Sequence, residues 1–284
     1  MQIDAHTQLC AVLGKPIRHS LSPAIHNAAF QAKNLNFVYT AFEVDNIEHA
    51  ILGMRGLGIR GYSITIPHKV SAIAHVDELD PVAASIGSIN TLVNNEGVLR
   101  GYNTDGIGAL RAIESAGVKL SGAEVTLLGS GGGARAIACT LAVKSDLSKM
   151  NILGVVEDEM KALAAHVSKQ SSARVNGAML TEETLKKALD TTLLLIHCTP
   201  IGMHPRVDET VVPQKFLSSP LVVFDIVYNP KETRLLREAK EKKCRVISGV
   251  EMFIHQAVAQ FELFTGQSAP EAVMRKVVLQ NLKT

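Results

Sequence analysis

The sequence predicts an α/β chain of two domains. Three observations carry that expectation: strand-like and helix-like stretches alternate almost throughout the 284 residues, a glycine-rich loop beginning at Gly129 joins a strand directly to a helix, and two C-terminal helices have no strand after them. The length suits two ordinary domains, each able to bury a core.

QLCAVLG (8–14) reads as the opening strand. SPAIHNAAFQAK follows as a helix, with Ser22 expected at the N-cap and Pro23 at the first helical position, where its missing N–H costs nothing. FVYTAFEV (37–44) alternates as a strand, NIEHAILGMRG is helical, and GYSITIP is a strand that Pro67 cuts off, having no N–H for the ladder. Such strand–helix–strand units argue a mixed, mainly parallel sheet. INTLVNN and VLRGYN flank an Asn-Glu-Gly turn and read as a hairpin, which adds an antiparallel pair.

The second domain opens with AEVTLL (123–128), a short buried strand running into GSGGGARAIACTLAVK. Gly129, Gly131 and Ala134 fit G-x-G-x-x-G/A in a strand–turn–helix context, and Ser130, Gly132, Gly133 and Arg135 complete the loop. The first glycine permits the turn, the second lets backbone N–H groups approach a pyrophosphate, and the helix N-terminus favours the anion. This pattern points to a dinucleotide. MNILGVV is the next strand; EDEMKALAAHV is a helix with Met160, Leu163, Ala164 and Val167 at helical spacing; TEETLKKALD is another helix. TLLLIHC and LVVFDIVY are strands, ETRLLREAKEK a helix and CRVIS the last strand, so 105–248 is expected to be a Rossmann-like domain. The helices EMFIHQAVAQFELFTG and PEAVMRKVVLQ are expected to return to the first domain, 1–104 plus 249–284, leaving a cleft between the lobes.

Composition narrows the function classes. The 29 Lys+Arg against 27 Asp+Glu leave a formal net charge of +2, without the basic bias of a nucleic-acid binder. Cysteines 10, 139, 198 and 244 lie far apart with no C-x-x-C pair, which reads as reduced thiols of a cytoplasmic protein without a metal site. The N-terminus has no signal-peptide pattern, and no apolar run approaches the ~20 residues of a membrane span.

LGKPIRHSLSPAIHN, SITIPHK, SIGSINTL, GYNTDG, GSGGGARA, CTPIGM, VYNPKETRLL and GVEMFIHQA, in this order and spanning nearly the whole chain, resemble the shikimate dehydrogenase family. The resemblance implies an N-terminal substrate domain, a small-molecule partner, and reversible nicotinamide-dependent reduction of 3-dehydroshikimate to shikimate. It makes Lys69 catalytic and places Asp105 against the same hydroxyl, a pairing suited to moving a proton as a hydride leaves. It implies that Ser20 and Ser22 hold the ring carboxylate, that Thr65, Asn90 and Gln256 meet ring hydroxyls, and that Tyr228 lines the cleft. Gly249 and Met252 join the cofactor side. Quinate and aminoshikimate remain sister substrates, a dinucleotide-binding module without catalysis remains the rival class, and monomer and homodimer both stay open.

Three departures stand out. Ser63 occupies a position where the family often has Asn, which makes one hydroxyl contact shorter or water-mediated. His197-Cys198-Thr199-Pro200 replaces the usual N-A-T-P, and His197 is assigned no chemistry. NADP-dependent members commonly carry an arginine after the second Rossmann strand, where this chain has Gly154, Val155 and Val156, then Glu157 and Asp158. An acid there suits a free ribose 2′-hydroxyl, so family habit implies NADP while Glu157 and Asp158 favour NAD.

Overall fold

The computed structural model describes residues 3–18 and 20–282. The chain divides into two compact units. One takes the chain up to Asp105 and resumes at Ile254; the other is Gly106–Phe253. The return boundary falls within a helix, α9 (Gly249–Thr265), rather than at its start. Its first residue packs with the second unit: a Cβ on Gly249 would lie 2.4 Å from the Ile226 carbonyl oxygen, so only glycine fits.

The first unit is built on β1 (Gln8–Gly14), α1 (Ser22–Ala32), β2 (Phe37–Glu43), α2 (Ile47–Leu57), β3 (Gly61–Ile64), β4 (Glu78–Leu79), α3 (Pro81–Ile86), β5 (Thr91–Asn95) and β6 (Val98–Tyr102). The sheet order is β2-β1-β3-β5-β6-β4. β1 pairs parallel with β2 and β3, β4 parallel with β6, and β5 antiparallel with β3 and β6, so the sheet is mixed as expected. Asn95 opposes Val98, leaving a two-residue loop in which Glu96 and Gly97 both take positive φ, the geometry that matches hairpin twist. Leu13, Ile51, Met54, Ile64, Leu92 and Leu99 are among the buried side chains filling one face. On the other, α1 packs against α10 (Glu271–Asn281).

The structure departs from two local expectations. Ser22 is the first residue of α1 and does not cap it: Leu21 holds the cap position in a helical conformation, and the Ser22 N–H donates to Ser20 Oγ at 3.3 Å. β3 ends at Ile64, two residues short of Ile66, because the chain turns at Thr65, whose carbonyl accepts the His68 N–H at 2.9 Å.

α4 (Thr104–Ser115) follows β6. The second unit contains β7 (Glu124–Leu128), α5 (Gly132–Lys144), β8 (Lys149–Gly154), α6 (Glu157–Ser168), β9 (Arg174–Met179), α7 (Glu182–Leu189), β10 (Leu194–His197), β11 (Val222–Asp225), α8 (Arg234–Glu241) and β12 (Arg245–Ser248). Its sheet order is β12-β11-β10-β7-β8-β9 with every pairing parallel, the doubly wound order of a Rossmann fold. β9, α3, α4 and the two-residue β4 were not read from sequence. β9 carries Asn and Gly, which weaken its strand propensity, and lies mostly exposed at the sheet edge, so pairing with β8 makes it a strand.

Candidate active site

Lys69 follows the turn that ends β3. Two contacts hold this segment: the Ile89 N–H donates to the Lys69 carbonyl at 2.8 Å, and the side chain of the preceding residue, buried His68, places Nε2 2.8 Å from the Val44 carbonyl. A carbonyl only accepts, so the hydrogen-bond pattern assigns the proton to Nε2. Asp105 sits in the first turn of α4, where helix N-termini favour a carboxylate. Lys69 Nζ donates to Asp105 Oδ2 at 2.6 Å, and Asn90 Nδ2 donates to Asp105 Oδ1 at 2.9 Å. Each carboxylate oxygen therefore has its own donor. The side chains of Lys69 and Asp105 are 32% and 20% exposed, so the pair stays accessible, and the ammonium keeps further N–H donors for a second acceptor.

Asn90 is 3% exposed and holds this arrangement from below. Its Nδ2 also donates to Thr104 Oγ1 at 3.0 Å, while its Oδ1 accepts from the Thr104 N–H and the Thr91 hydroxyl, each at 2.8 Å. Gln260, which sequence reading did not single out, donates Nε2 to the Asn90 carbonyl at 3.2 Å and to Thr91 Oγ1 at 3.0 Å. It accepts at Oε1 from Ser63 Oγ (2.9 Å), which in turn accepts from the Tyr39 hydroxyl (2.6 Å). Ser63 is 5% exposed and fully used inside this chain, so it is buried scaffolding. Burial raises the Tyr39 phenol, partly countered by its hydrogen bonds with Ser63 and Ser22, which keeps it a neutral donor. The signal for Gln260 was its position four residues after Gln256, on the same face of α9.

Ser20, Ser22, Thr65 and Gln256 are all half-buried in the first unit. Tyr228 belongs to the second unit, 40% exposed and stacked on Phe253 with ring centroids 4.7 Å apart. Met252 lies half-buried in the first turn of α9.

The second unit's glycine loop connects β7 to α5. Gly129 takes φ +113°, and a Cβ there would lie 3.0 Å from the Cys198 carbonyl oxygen, so both backbone and space require glycine. Gly131 is the N-cap of α5 with no side chain capping it, and, the adjoining residues and the helix's own backbone aside, no described atom lies within 4 Å of where a Cβ on Gly131 or Gly132 would sit. Uncapped N–H donors beside open space fit a dinucleotide pyrophosphate. Gly133 packs under Ile226, Ala134 is fully buried, and Arg135 lies in the first turn of α5. Beyond β8, Val155 and Val156 are exposed, and the first turn of α6 holds Glu157, Asp158 and Glu159. Glu157 is engaged by Lys161 at 2.6 Å, which lowers its pKa. The acid that reaches the glycine loop is Glu159, whose Oε2 accepts from Ser130 Oγ at 3.3 Å. The motif pointed to Glu157 and Asp158; helical geometry brings the next acid, Glu159, onto the loop side. Among the described residues no cluster of three or more His, Cys, Asp or Glu could hold a metal ion, and no helix is long and apolar enough to cross a membrane.

The strand order and glycine loop define the second unit as a Rossmann-like dinucleotide-binding fold. The family description "Shikimate dehydrogenase substrate binding domain" matches residues 12–92, and "Shikimate 5'-dehydrogenase C-terminal domain" matches residues 249–279. Shikimate dehydrogenase (NADP(+)) of Moorella thermoacetica is 41% identical over 98% of this chain and 95% of its own length. The protein of the same name from Methanosarcina acetivorans is 43% identical over 96% of this chain and 98% of its own. A crystal structure of shikimate 5-dehydrogenase from Listeria monocytogenes in complex with shikimate and NAD superposes with a TM-score of 0.94 at 32% identity, covering 98% of both chains. The chain belongs to the shikimate dehydrogenase family.

Proposed function

We propose that this protein catalyses the reversible, nicotinamide-dependent reduction of 3-dehydroshikimate to shikimate, with Lys69 and Asp105 handling the proton. The 2.6 Å Lys69–Asp105 contact carries this reading. A bound nicotinamide supplies the hydride, or accepts it in reverse. As the ring carbonyl is reduced, Lys69 gives its proton to the oxygen, which becomes the alcohol, and the neutral amine regains a proton from solvent. Asp105, held at both oxygens by Lys69 and Asn90, keeps the ammonium in line and stabilises its charge. Ser20 and Ser22 are assigned to the ring carboxylate, and Thr65, Asn90 and Gln256 to ring hydroxyls, with Tyr228 a further contact. Gly129 to Arg135, Gly249 and Met252 are assigned to the dinucleotide. The compact division at residues 105/106 and 253/254 supports a substrate-binding first unit and a dinucleotide-binding second. Four free cysteines suit a reducing compartment, and we assign the enzyme to the cytoplasm.

The relatives' names favour NADP as the partner dinucleotide. A second reading, NAD, rests on the acidic first turn of α6, which would repel a 2′-phosphate and accept hydrogen bonds from a free ribose. Initial rates crossing shikimate and quinate with NADP and NAD test both levels. Turnover of shikimate well above quinate is expected; no turnover of any ring substrate would defeat the enzymatic reading, and comparable use of quinate would move the protein to the sister activity. Glu159→Gln removes the acid on the glycine loop and is expected to raise kcat/KM with NADP about fivefold relative to NAD, the scale of one screened like-charge contact. An unchanged ratio would remove Glu159 from dinucleotide selection.

A further inference from the structure

His197 is 1% exposed at the end of β10, and Asp225, fully buried, ends the neighbouring β11. Asp225 accepts from the Val227 N–H at 3.0 Å and the Thr233 hydroxyl at 2.6 Å, and its Oδ1 lies 2.9 Å from His197 Nδ1. A carboxylate ringed by donors is an acceptor, so the hydrogen-bond pattern assigns the proton to Nδ1. That leaves Nε2 to accept from the Thr199 hydroxyl at 2.5 Å, and Thr199 Oγ1 accepts in turn from the Ile201 N–H at 3.3 Å. The chain Thr233–Asp225–His197–Thr199 thus ties the start of α8 to the turn that begins at Cys198. That turn lies against the glycine loop: a Cβ on Gly129 would come within 3.3 Å of Thr199 Cγ2 as well as 3.0 Å of the Cys198 carbonyl oxygen. Burial and the nearby Asp225 raise the Cys198 thiol. Ligands of doubly wound sheets bind at the carboxyl ends of the strands, where this turn sits.

We propose that His197 is a positioning residue: clamped by Asp225 in one tautomer, it holds Thr199 and so fixes the turn after β10 as a wall of the dinucleotide site. This rests on the dinucleotide reading of the glycine loop given above. It gives a role to a side chain that itself does no chemistry, because a histidine can grip a carboxylate with one nitrogen and a hydroxyl with the other.

Amide hydrogen exchange on the intact protein, combined with dinucleotide kinetics, tests it. His197→Ala is expected to speed exchange at Ile201 while the amides inside β7 and β8 stay protected, and to raise the dinucleotide KM roughly tenfold, the equivalent of about one hydrogen bond, with the shikimate KM nearly unchanged. Thr199→Val, at a half-buried site, should reproduce the Ile201 effect and the KM rise without touching Val227, and Thr199→Ser should restore both. Uniform acceleration across the strands in His197→Ala, or an unchanged Ile201 and dinucleotide KM in Thr199→Val, would overturn the proposal. Failure of the unmodified protein to bind any nicotinamide dinucleotide would instead defeat the reading of the glycine loop, and the exchange data would still decide whether His197 holds the turn.

Discussion

Replacing Lys69 by methionine removes the ammonium and keeps a flexible chain of similar length. Asp105 then loses its 2.6 Å donor but keeps Asn90 Nδ2 at 2.9 Å, and at 20% exposure it can turn to water for the rest. A partly solvated ion pair contributes about 1 kcal/mol or less to stability, so the melting temperature should move little. Turnover should move far more. A positioned acid contributes about 10²- to 10⁴-fold, or roughly 3–5 kcal/mol of barrier, and no second ammonium contacts Asp105 among the hydrogen bonds described. Initial rates with shikimate and the preferred dinucleotide, alongside thermal unfolding, should therefore show kcat lower by at least about a hundredfold, KM within about threefold and an unchanged fold. A variant retaining a third or more of its turnover would refute the assignment of Lys69, and a loss of rate matched by a large fall in melting temperature would trace the effect to folding.

Asn90→Ala should be costly in both respects. It strips the buried Thr104 N–H of its acceptor and Asp105 of its second donor, so about 2–4 kcal/mol of stability should be lost in denaturant titrations, with kcat falling even where the protein is folded; a change below about 0.5 kcal/mol would contradict the buried network. Burial pulls the His26 imidazole down to about 3 from an ordinary 6.5, while its ring stacks on Tyr39 with centroids 4.5 Å apart. The unfolded chain therefore binds the proton more readily, and this contribution to stability is complete above pH 6.5 and lost as pH falls toward 3, by up to about 1.4 kcal/mol per pH unit. In His26→Leu the acid limb of the stability profile should be correspondingly shallower between those values, and identical limbs would show that His26 is not buried neutral.

The local elements were legible because their signals are local. Pattern and punctuation located β1, β2, β7 and most helices, and Asn-Glu-Gly located the hairpin, since only short-range backbone preferences were involved. The glycine loop was equally legible, because the strand–turn–helix context is local and the tight turn at Gly129, with its positive φ and the Cys198 carbonyl 3.0 Å from a would-be Cβ, demands glycine on the spot. Lys69 and Asp105 could be named from the motifs around them. That they meet at 2.6 Å could not, being 36 residues apart in the chain.

Tertiary structure decided what depends on distant partners. β9 became a strand only by pairing with β8 at the sheet edge, since its own residues are poor strand formers. Ser22 looked like a cap, yet the chain entering from Ser20 took the helix start in a different conformation. Ser63 seemed placed for a ligand, but Tyr39 and Gln260, from elsewhere in the chain, enclosed its hydroxyl. Glu159 rather than Glu157 reached Ser130, because a helix rotates successive acids by about 100° and the loop lies on one side only. Sequence alone determined which residue types and which backbone shapes this protein has; which side chains share a hydrogen bond was settled by folding, because hydrogen bonds depend on ångström-scale distances that only packed elements set.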